Sequence, residues 1–163
     1  MIRPVTPEDA AAICGIYNYY IENTTVTFEE EAVPVPVMEN LINTVTAKYP
    51  WLVYEEGEEL LGYACVHPWH KRSAYRFTVE DSIYLGRGQT GRGLGKALLA
   101  RLLEEVWKLD AHALMSVIAC PNEASTALHE RFAFKPVGCF AQVGYKFGRR
   151  LDVGYWELLR PCP

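Results

Sequence analysis

The sequence predicts one α/β domain, a mixed and mostly antiparallel sheet with helices on both faces. Three observations carry this expectation. Strand-like and helix-like segments follow one another in the order β, α, α, β, β, β, α, β, α, β, β, a succession that packs as a sheet covered by helices. The run Ala113 to Ala119 reads as apolar and of strand length, the mark of a strand buried on both faces in mid-sheet. Finally, 163 residues can bury roughly 70% of the surface an unfolded chain exposes but are too few for two full domains. No internal repeat, low-complexity segment or linker divides them.

Taken in order, Ile2 to Val5 read as a short strand, and Thr6-Pro7-Glu8-Asp9 as a helix start with Thr6 as N-cap and acids in the first turn. Ile13, Ile16, Tyr17, Tyr20 and Ile21 then share one helical face. The polar, β-branched stretch Asn23 to Phe28 breaks that period, and a second helix runs from Pro34 to about Lys48, ended by Pro50. Trp51 to Glu55 and Leu60 to His67 form a hairpin around Glu56-Gly57-Glu58. Tyr75 to Leu85 is a further strand, rich in β-branched and aromatic residues.

From Gly93 the pattern turns helical. Leu94, Leu98 and Leu102 form one stripe, Leu99, Leu103 and Val106 lie beside it, and Glu104 pairs with Lys108 outside. Past the buried strand, Asn122 to Phe132 is a short helix with Ala124, Leu128 and Phe132 inward. Val137 to Val143 and Leu151 to Leu158 close the fold as a hairpin around Gly144 and Gly148.

Composition excludes several functions. Sixteen basic residues against 20 acidic ones leave a net charge of −4, so no overall positive field draws in nucleic acid or an anionic membrane. Cys14, Cys65, Cys120, Cys139 and Cys162 form no CxxC pair, as expected of reduced cytosolic thiols. The first residues lack a basic segment followed by an apolar run, and no stretch approaches a membrane span, so a cytoplasmic location is expected. His67 and His70 flank Pro68-Trp69 at an HxxH spacing without a third ligand, and no metal site is expected.

The segment Gln89-Thr90-Gly91-Arg92-Gly93-Leu94-Gly95-Lys96 lies between a strand and a helix. Three glycines at alternate positions let the backbone approach a ligand, and the free N–H groups and dipole of a helix start suit a diphosphate. A simple tight turn would need only one of them. A P-loop is excluded, because Thr90 stands where its first glycine belongs and Ala97 follows Lys96. Gly86, Gly88 and Gly91 spell GxGxxG, but no acid occurs from Ala111 to Asn122 where a dinucleotide fold needs one; dinucleotide binding stays a minor alternative.

With these segments assembled, strand, Gly91-Arg92-Gly93-Leu94-Gly95, amphipathic helix, buried strand and Asn122 opening a short helix resemble the acyl-CoA-binding core of the GNAT acetyltransferase superfamily. YNYYIENTTVTFE (17–29), YPWLVYE (49–55), PWHKRSAYRFTVEDSIYL (68–85), PNEASTALHERFAF (121–134) and GYKFGRRLDVGYWEL (144–158) are similar to its phosphinothricin acetyltransferase branch. These blocks run nearly end to end. The resemblance implies a GNAT-type sheet, acetyl-CoA as co-substrate without a metal, a small-molecule amine acceptor, and a homodimer. The superfamily has Arg or Gln three residues before Gly93, where this chain has Thr90, so cofactor affinity is expected to be reduced rather than absent.

An aliphatic ammonium has no lone pair to attack a thioester, so a base must take its proton. Glu80, in the strand before the glycine turn, is the candidate, and the resemblance agrees through Glu80-Asp81-Ser82-Ile83-Tyr84; on sequence alone a surface carboxylate is an equal reading. Asp81 stands where relatives often carry histidine, and no role is assigned to it. The resemblance places oxyanion donors and pantetheine contacts at Ile83, Tyr84 and Leu85, and coenzyme A contacts at Gly91, Arg92, Gly93, Leu94, Gly95, Lys96 and Asn122. Asn122 also reads as a helix N-cap.

Many relatives carry a tyrosine acid seven residues after that asparagine, and here the position is His129. It is read either as the acid for the departing thiolate or as a structural histidine. Arg72, Tyr75 and Arg76 stand upstream of Glu80, and an arginine fork suits a carboxylate or phosphinate. The resemblance adds Phe28, Glu29 and Lys146, with Phe147, as substrate contacts. The expected function is acetyl transfer to the primary amine of an amino-acid-like molecule such as phosphinothricin or methionine sulfoximine. The alternatives are another amine (a polyamine, an aminoglycoside or a protein N-terminus) and a non-catalytic acyl-CoA-binding module.

Overall fold

In the computed structural model, which describes residues 1–160, seven strands form one sheet in the order β1-β2-β3-β4-β5-β7-β6. The strands are β1 (Ile2–Pro4), β2 (Trp51–Glu56), β3 (Glu59–Pro68), β4 (Thr78–Leu85), β5 (Ala113–Cys120), β6 (Lys135–Lys146) and β7 (Arg149–Leu159). The helices are α1 (Ala10–Asn23), α2 (Val35–Thr46), α3 (Leu94–Val106) and α4 (Glu123–Arg131). Every neighbouring pair is antiparallel except β4 with β5. Parallel strands need a long crossover, and α3 supplies it.

The pleat sorts side chains onto two faces. On one, Leu52, Ala64, Val66, Val79, Leu114 and Ile118 meet the leucine stripe of α3. On the other, Trp51, Val53, Tyr63 and Cys65 pack against Ile13 and Ile16 of α1 and Met38 and Ile42 of α2. The fully buried Leu98, Leu99, Leu102 and Val106 are the residues whose spacing marked the inner face of α3.

Several sequence expectations shift. Thr6 and Asp9 cap a 3-10 turn, Pro7–Asp9, that precedes α1, with the Thr6 N–H donating to the Asp9 carboxylate at 2.8 Å. The strand expected from Tyr75 begins at Thr78 instead. Ser73–Tyr75 is a 3-10 turn, closed by Tyr75 N–H to the Arg72 carbonyl at 3.0 Å and steadied by the Tyr75 ring against Trp69 and His70. Lys108 pairs with Glu105 rather than Glu104, which goes to Arg101. The final hairpin is longer than expected and turns at Phe147 and Gly148. Cys162 lies outside the described residues; the other four cysteines are free thiols.

Gly154 in β7 is set by packing: a Cβ there would stand 2.4 and 2.8 Å from the Trp156 ring and 3.2 Å from the Cys120 sulfur. Such overpacking costs about 1–3 kcal/mol. Gly154→Ala is therefore expected to lower the thermal midpoint by about 3 to 10 °C, and an unchanged midpoint by calorimetry would contradict the packing described.

Candidate active site

Between β4 and β5 the ladder holds only Thr78 with Ala113, Val79 with Leu114 and Glu80 with Met115. Beyond these pairs β4 stays on β3 as far as Leu85, and β5 stays on β7 as far as Cys120. The two parallel strands therefore part, and a cavity of about 480 Å³ fills the fork. The Trp69 N–H bonds the Thr78 carbonyl at 3.3 Å and the Gly86 N–H bonds the Leu61 carbonyl at 2.8 Å. Amide direction alternates along an antiparallel strand. The peptide groups of Glu80, Ser82 and Tyr84 thus face β3, while those of Ile83 and Leu85 face the fork. Tyr20 takes one of them, donating its hydroxyl to the Leu85 carbonyl at 2.8 Å.

The first residue past the last ladder pair on each strand, Asp81 on β4 and Ser116 on β5, meets the same imidazole. His129 Nε2 is 3.0 Å from Asp81 Oδ2 and 2.9 Å from Ser116 Oγ, all three side chains buried. Its Nδ1 lies 2.7 Å from the Ser125 carbonyl, an obligate acceptor, so Nδ1 carries a hydrogen. A proton is then shared between Nε2 and Asp81. Burial opposes the charged ring, but the hydrogen bond and charge of Asp81, with the Ser125 carbonyl, outweigh it and raise the His129 pKa above its ordinary value. The ring is held at both nitrogens and stands in the cavity wall.

Glu80 lies on the opposite face, toward α1, half-buried in the cavity wall. Burial raises its pKa; the charge of His67 across the ladder opposes the rise and that of Asp81 adds to it. A carboxylate held above its ordinary range can take a proton from an ammonium and release it again. Tyr17, Tyr20 and Tyr84 make an edge-to-face aromatic wall beside it.

At the far end of β4, Gly91 and Gly93 adopt φ of 79° and 82°, which a side-chain-bearing residue enters only with strain. Gly93 caps α3, whose first intrahelical bond runs from the Ala97 N–H to the Gly93 carbonyl at 3.0 Å. The N–H groups of Leu94, Gly95 and Lys96 are therefore free for an anion. A Cβ at Gly91 or Gly93 would meet nothing within 4 Å, so the backbone there lies open, as a diphosphate requires. Arg92 turns aside, paired with Glu56 at 2.8 Å and bonded to Gln89.

The loop between α1 and α2 covers the cavity on its α1 side, with Val26, Thr27 and Phe28 in the lining. Lys146 Nζ donates to the Thr27 carbonyl at 2.8 Å, and Thr27 Oγ1 lies 2.9 Å from the Tyr17 hydroxyl. The Phe28 ring lies against Gly144, where a Cβ would come within 2.4 Å of it.

Among the residues expected from sequence, Glu80, Ile83, Tyr84, Leu85, Gly95, Asn122, His129 and Phe28 line this one cavity. The remaining turn residues, Gly91, Arg92, Gly93, Leu94 and Lys96, lie at the start of α3 outside the cavity lining. Asn122 caps α4 by accepting from the Ser125 N–H at 3.2 Å, which leaves its amide hydrogens free. Others are not brought in. Arg72, Tyr75 and Arg76 stay on the outside, because their turn closes on itself and Arg76 stacks on Phe77 at 4.3 Å. Lys146 is buried beneath the roof loop with its ammonium turned to Thr27, and Glu29 is exposed on that loop outside the cavity wall. Asp81, Ser116 and His67 also line the cavity; sequence reasoning assigned Asp81 no role, weighed His67 only as a metal ligand and did not single out Ser116. Strand alternation could have placed Asp81 opposite Glu80, and Ser116 was the one polar residue in an otherwise apolar strand.

Comparison with known proteins follows this geometry. The acetyltransferase (GNAT) domain family matches residues 2–154. A phosphinothricin N-acetyltransferase of Streptomyces viridochromogenes is 36% identical over 96% of this chain and 85% of its own length. An L-methionine sulfoximine/L-methionine sulfone acetyltransferase of Salmonella typhimurium is 35% identical over 96% of this chain and 92% of its own. The crystal structure of a GNAT superfamily phosphinothricin acetyltransferase from Sinorhizobium meliloti in complex with acetyl-CoA superposes with a TM-score of 0.94 at 34% identity, covering 98% of this chain and 87% of that one. A forked parallel pair, an open glycine turn and these relatives together place the chain in the GNAT family, phosphinothricin acetyltransferase-like branch, as an acetyl-CoA-dependent N-acetyltransferase.

Proposed function

We propose that this enzyme acetylates the primary amine of a small amino-acid-like molecule, of the phosphinothricin or methionine sulfoximine kind, by direct attack without an acyl-enzyme. The observation that carries the reading is the fork, which sets Glu80 and the unpaired amides of Ile83 and Leu85 around one cavity. Acetyl-CoA supplies the activated acyl group. The free N–H groups from Gly91 to Lys96 hold its diphosphate, and Asn122 and the β4 amides hold the chain that leads inward. Glu80 removes the ammonium proton. The Ile83 and Leu85 N–H groups, already oriented, donate to the thioester oxygen as charge gathers on it. His129 gives its shared proton to the leaving sulfur and is reprotonated by the second proton that the amine nitrogen sheds as the amide forms.

The relatives' named substrates support an acceptor that carries an acidic group beside its amine. Arg72, Tyr75 and Arg76 remain proposed contacts on the strength of resemblance alone. Incubation with acetyl-CoA and a panel of phosphinothricin, methionine sulfoximine, methionine sulfone, spermidine and an aminoglycoside, with thiol release as readout, tests the reading; turnover confined to the last two would overturn the acceptor class.

We further propose that the enzyme is a cytoplasmic homodimer. The described cysteines are free thiols. The edge strand β6 exposes Val137, Phe140, Val143 and Tyr145, an apolar edge that seeks a partner. Sedimentation equilibrium should return twice the 18.5 kDa chain mass, and a monomer at micromolar concentration would contradict it.

Glu80→Gln should lower kcat on the order of 10² to 10⁴-fold with little change in acetyl-CoA affinity. Because its pKa is raised, Glu80 becomes a competent base only as pH climbs through that raised value. The acid limb of kcat/KM should therefore lie above the ordinary glutamate value of about 4.3 and disappear in the variant; normal turnover would remove Glu80 from the mechanism. Gly93→Val forces a β-branched residue to a φ of 82° and covers the open backbone. Acetyl-CoA should bind roughly tenfold more weakly or worse by calorimetry, and unchanged affinity would refute the turn's role.

A further inference from the structure

We propose that His67 is the exit for the reaction's proton, receiving it from Glu80 and passing it to solvent. The inference rests on the proposed amine acetylation. An ammonium brings three N–H bonds; the amide keeps one, the released thiol carries one, and the third must leave as a free proton every turnover. Glu80 takes it first, and a half-buried carboxylate that keeps it cannot act again.

The β3–β4 register sets His67 directly opposite Glu80. Opposed residues share a face with Cβ atoms about 4.5–5.5 Å apart, and both side chains line the cavity. No direct hydrogen bond joins them, and the link proposed is a bridging water in the cavity that both line. The ring orientation is also fixed. His67 Nδ1 lies 3.2 Å from the Pro68 carbonyl at an exposed site. A carbonyl only accepts, so Nδ1 bears the hydrogen and the neutral ring keeps its lone pair on Nε2.

The other titratable groups near Glu80 do not take the proton: Tyr17 and Tyr84, on its face, are phenols that burial pushes up. Asp81 is engaged with His129 on the opposite face of the sheet, and Tyr155 of β7 is a phenol whose pKa burial raises further. His129 already has both nitrogens occupied. In the step itself, the ammonium N–H breaks as an O–H forms on Glu80. That O–H breaks as an N–H forms on His67 Nε2, and the imidazolium releases its proton to water.

His67→Gly tests this with the fastest acceptor of the amine panel. Expected are a loss in kcat on the order of tenfold to a hundredfold, an acceptor KM and acetyl-CoA affinity within about twofold, and saturable recovery of kcat by added imidazole but not by sodium chloride of equal ionic strength. His67→Gln, which keeps the bulk of the side chain, should show the same loss without recovery. Introduced into Glu80→Gln, either change should cost nothing more. Full kcat in His67→Gln, or a loss in His67→Gly that imidazole leaves untouched while acetyl-CoA binding is intact, would overturn the relay. Absence of turnover by the unaltered enzyme on every amine would instead overturn the proposed function on which the relay rests.

Discussion

The cavity in this sheet follows from one constraint: the parallel strands β4 and β5 stop pairing after Glu80 and Met115, and the peptide groups beyond lose their strand partner. Where the strands part, the His129 imidazole bonds the first residue past the ladder on each, Asp81 and Ser116. Bare peptide groups inside a sheet are costly, so the fork creates an unmet demand for hydrogen bonds at Ile83 and Leu85. An extended amide-bearing chain of the pantetheine kind is suited to meet it.

The fork also decides which groups meet. Alternation along β4 sends Asp81, Ile83 and Leu85 toward α3 and α4, and Glu80, Ser82 and Tyr84 toward α1. One strand thus presents a proton-sharing pair on one face and a raised carboxylate on the other, with the cavity passing between. The α1 side is closed by a loop fixed at three points: Lys146 to the Thr27 carbonyl, Tyr17 to the Thr27 hydroxyl, and Phe28 on Gly144. The structure thus gives Lys146 a fastening role at this loop. Burial lowers its pKa, while Glu30 and Glu29 act against that. Roof and floor are therefore set by contacts remote in sequence, while the open glycine turn is local.

That contrast explains what could be read from residues alone. The element order, the inner face of α3 and the glycine turn rest on short-range periodicity and backbone freedom, which a sequence carries openly. Glu80, Asn122 and His129 were singled out because chemistry and resemblance pointed to the same positions, and all three line one cavity. The meeting of Asp81 and Ser116 on one imidazole was harder to read, since it depends on where a ladder ends. Arg72 and Arg76 were chosen by type and proximity, and a 3-10 turn in place of the expected strand start sets them outside the cavity lining. His67 was weighed as a metal ligand and set aside; its interest lies in the register that puts it across from Glu80.

The most direct test of the central claim is a crystal structure of this enzyme with acetyl-CoA bound. The account predicts the diphosphate on the N–H groups of Gly91 to Lys96, the pantetheine in the fork against β4, and the thioester oxygen within hydrogen-bond distance of the Ile83 or Leu85 N–H, with Glu80 facing the acyl carbon. A diphosphate lodged elsewhere, or a fork closed by its own chain with the acyl group outside it, would contradict the account.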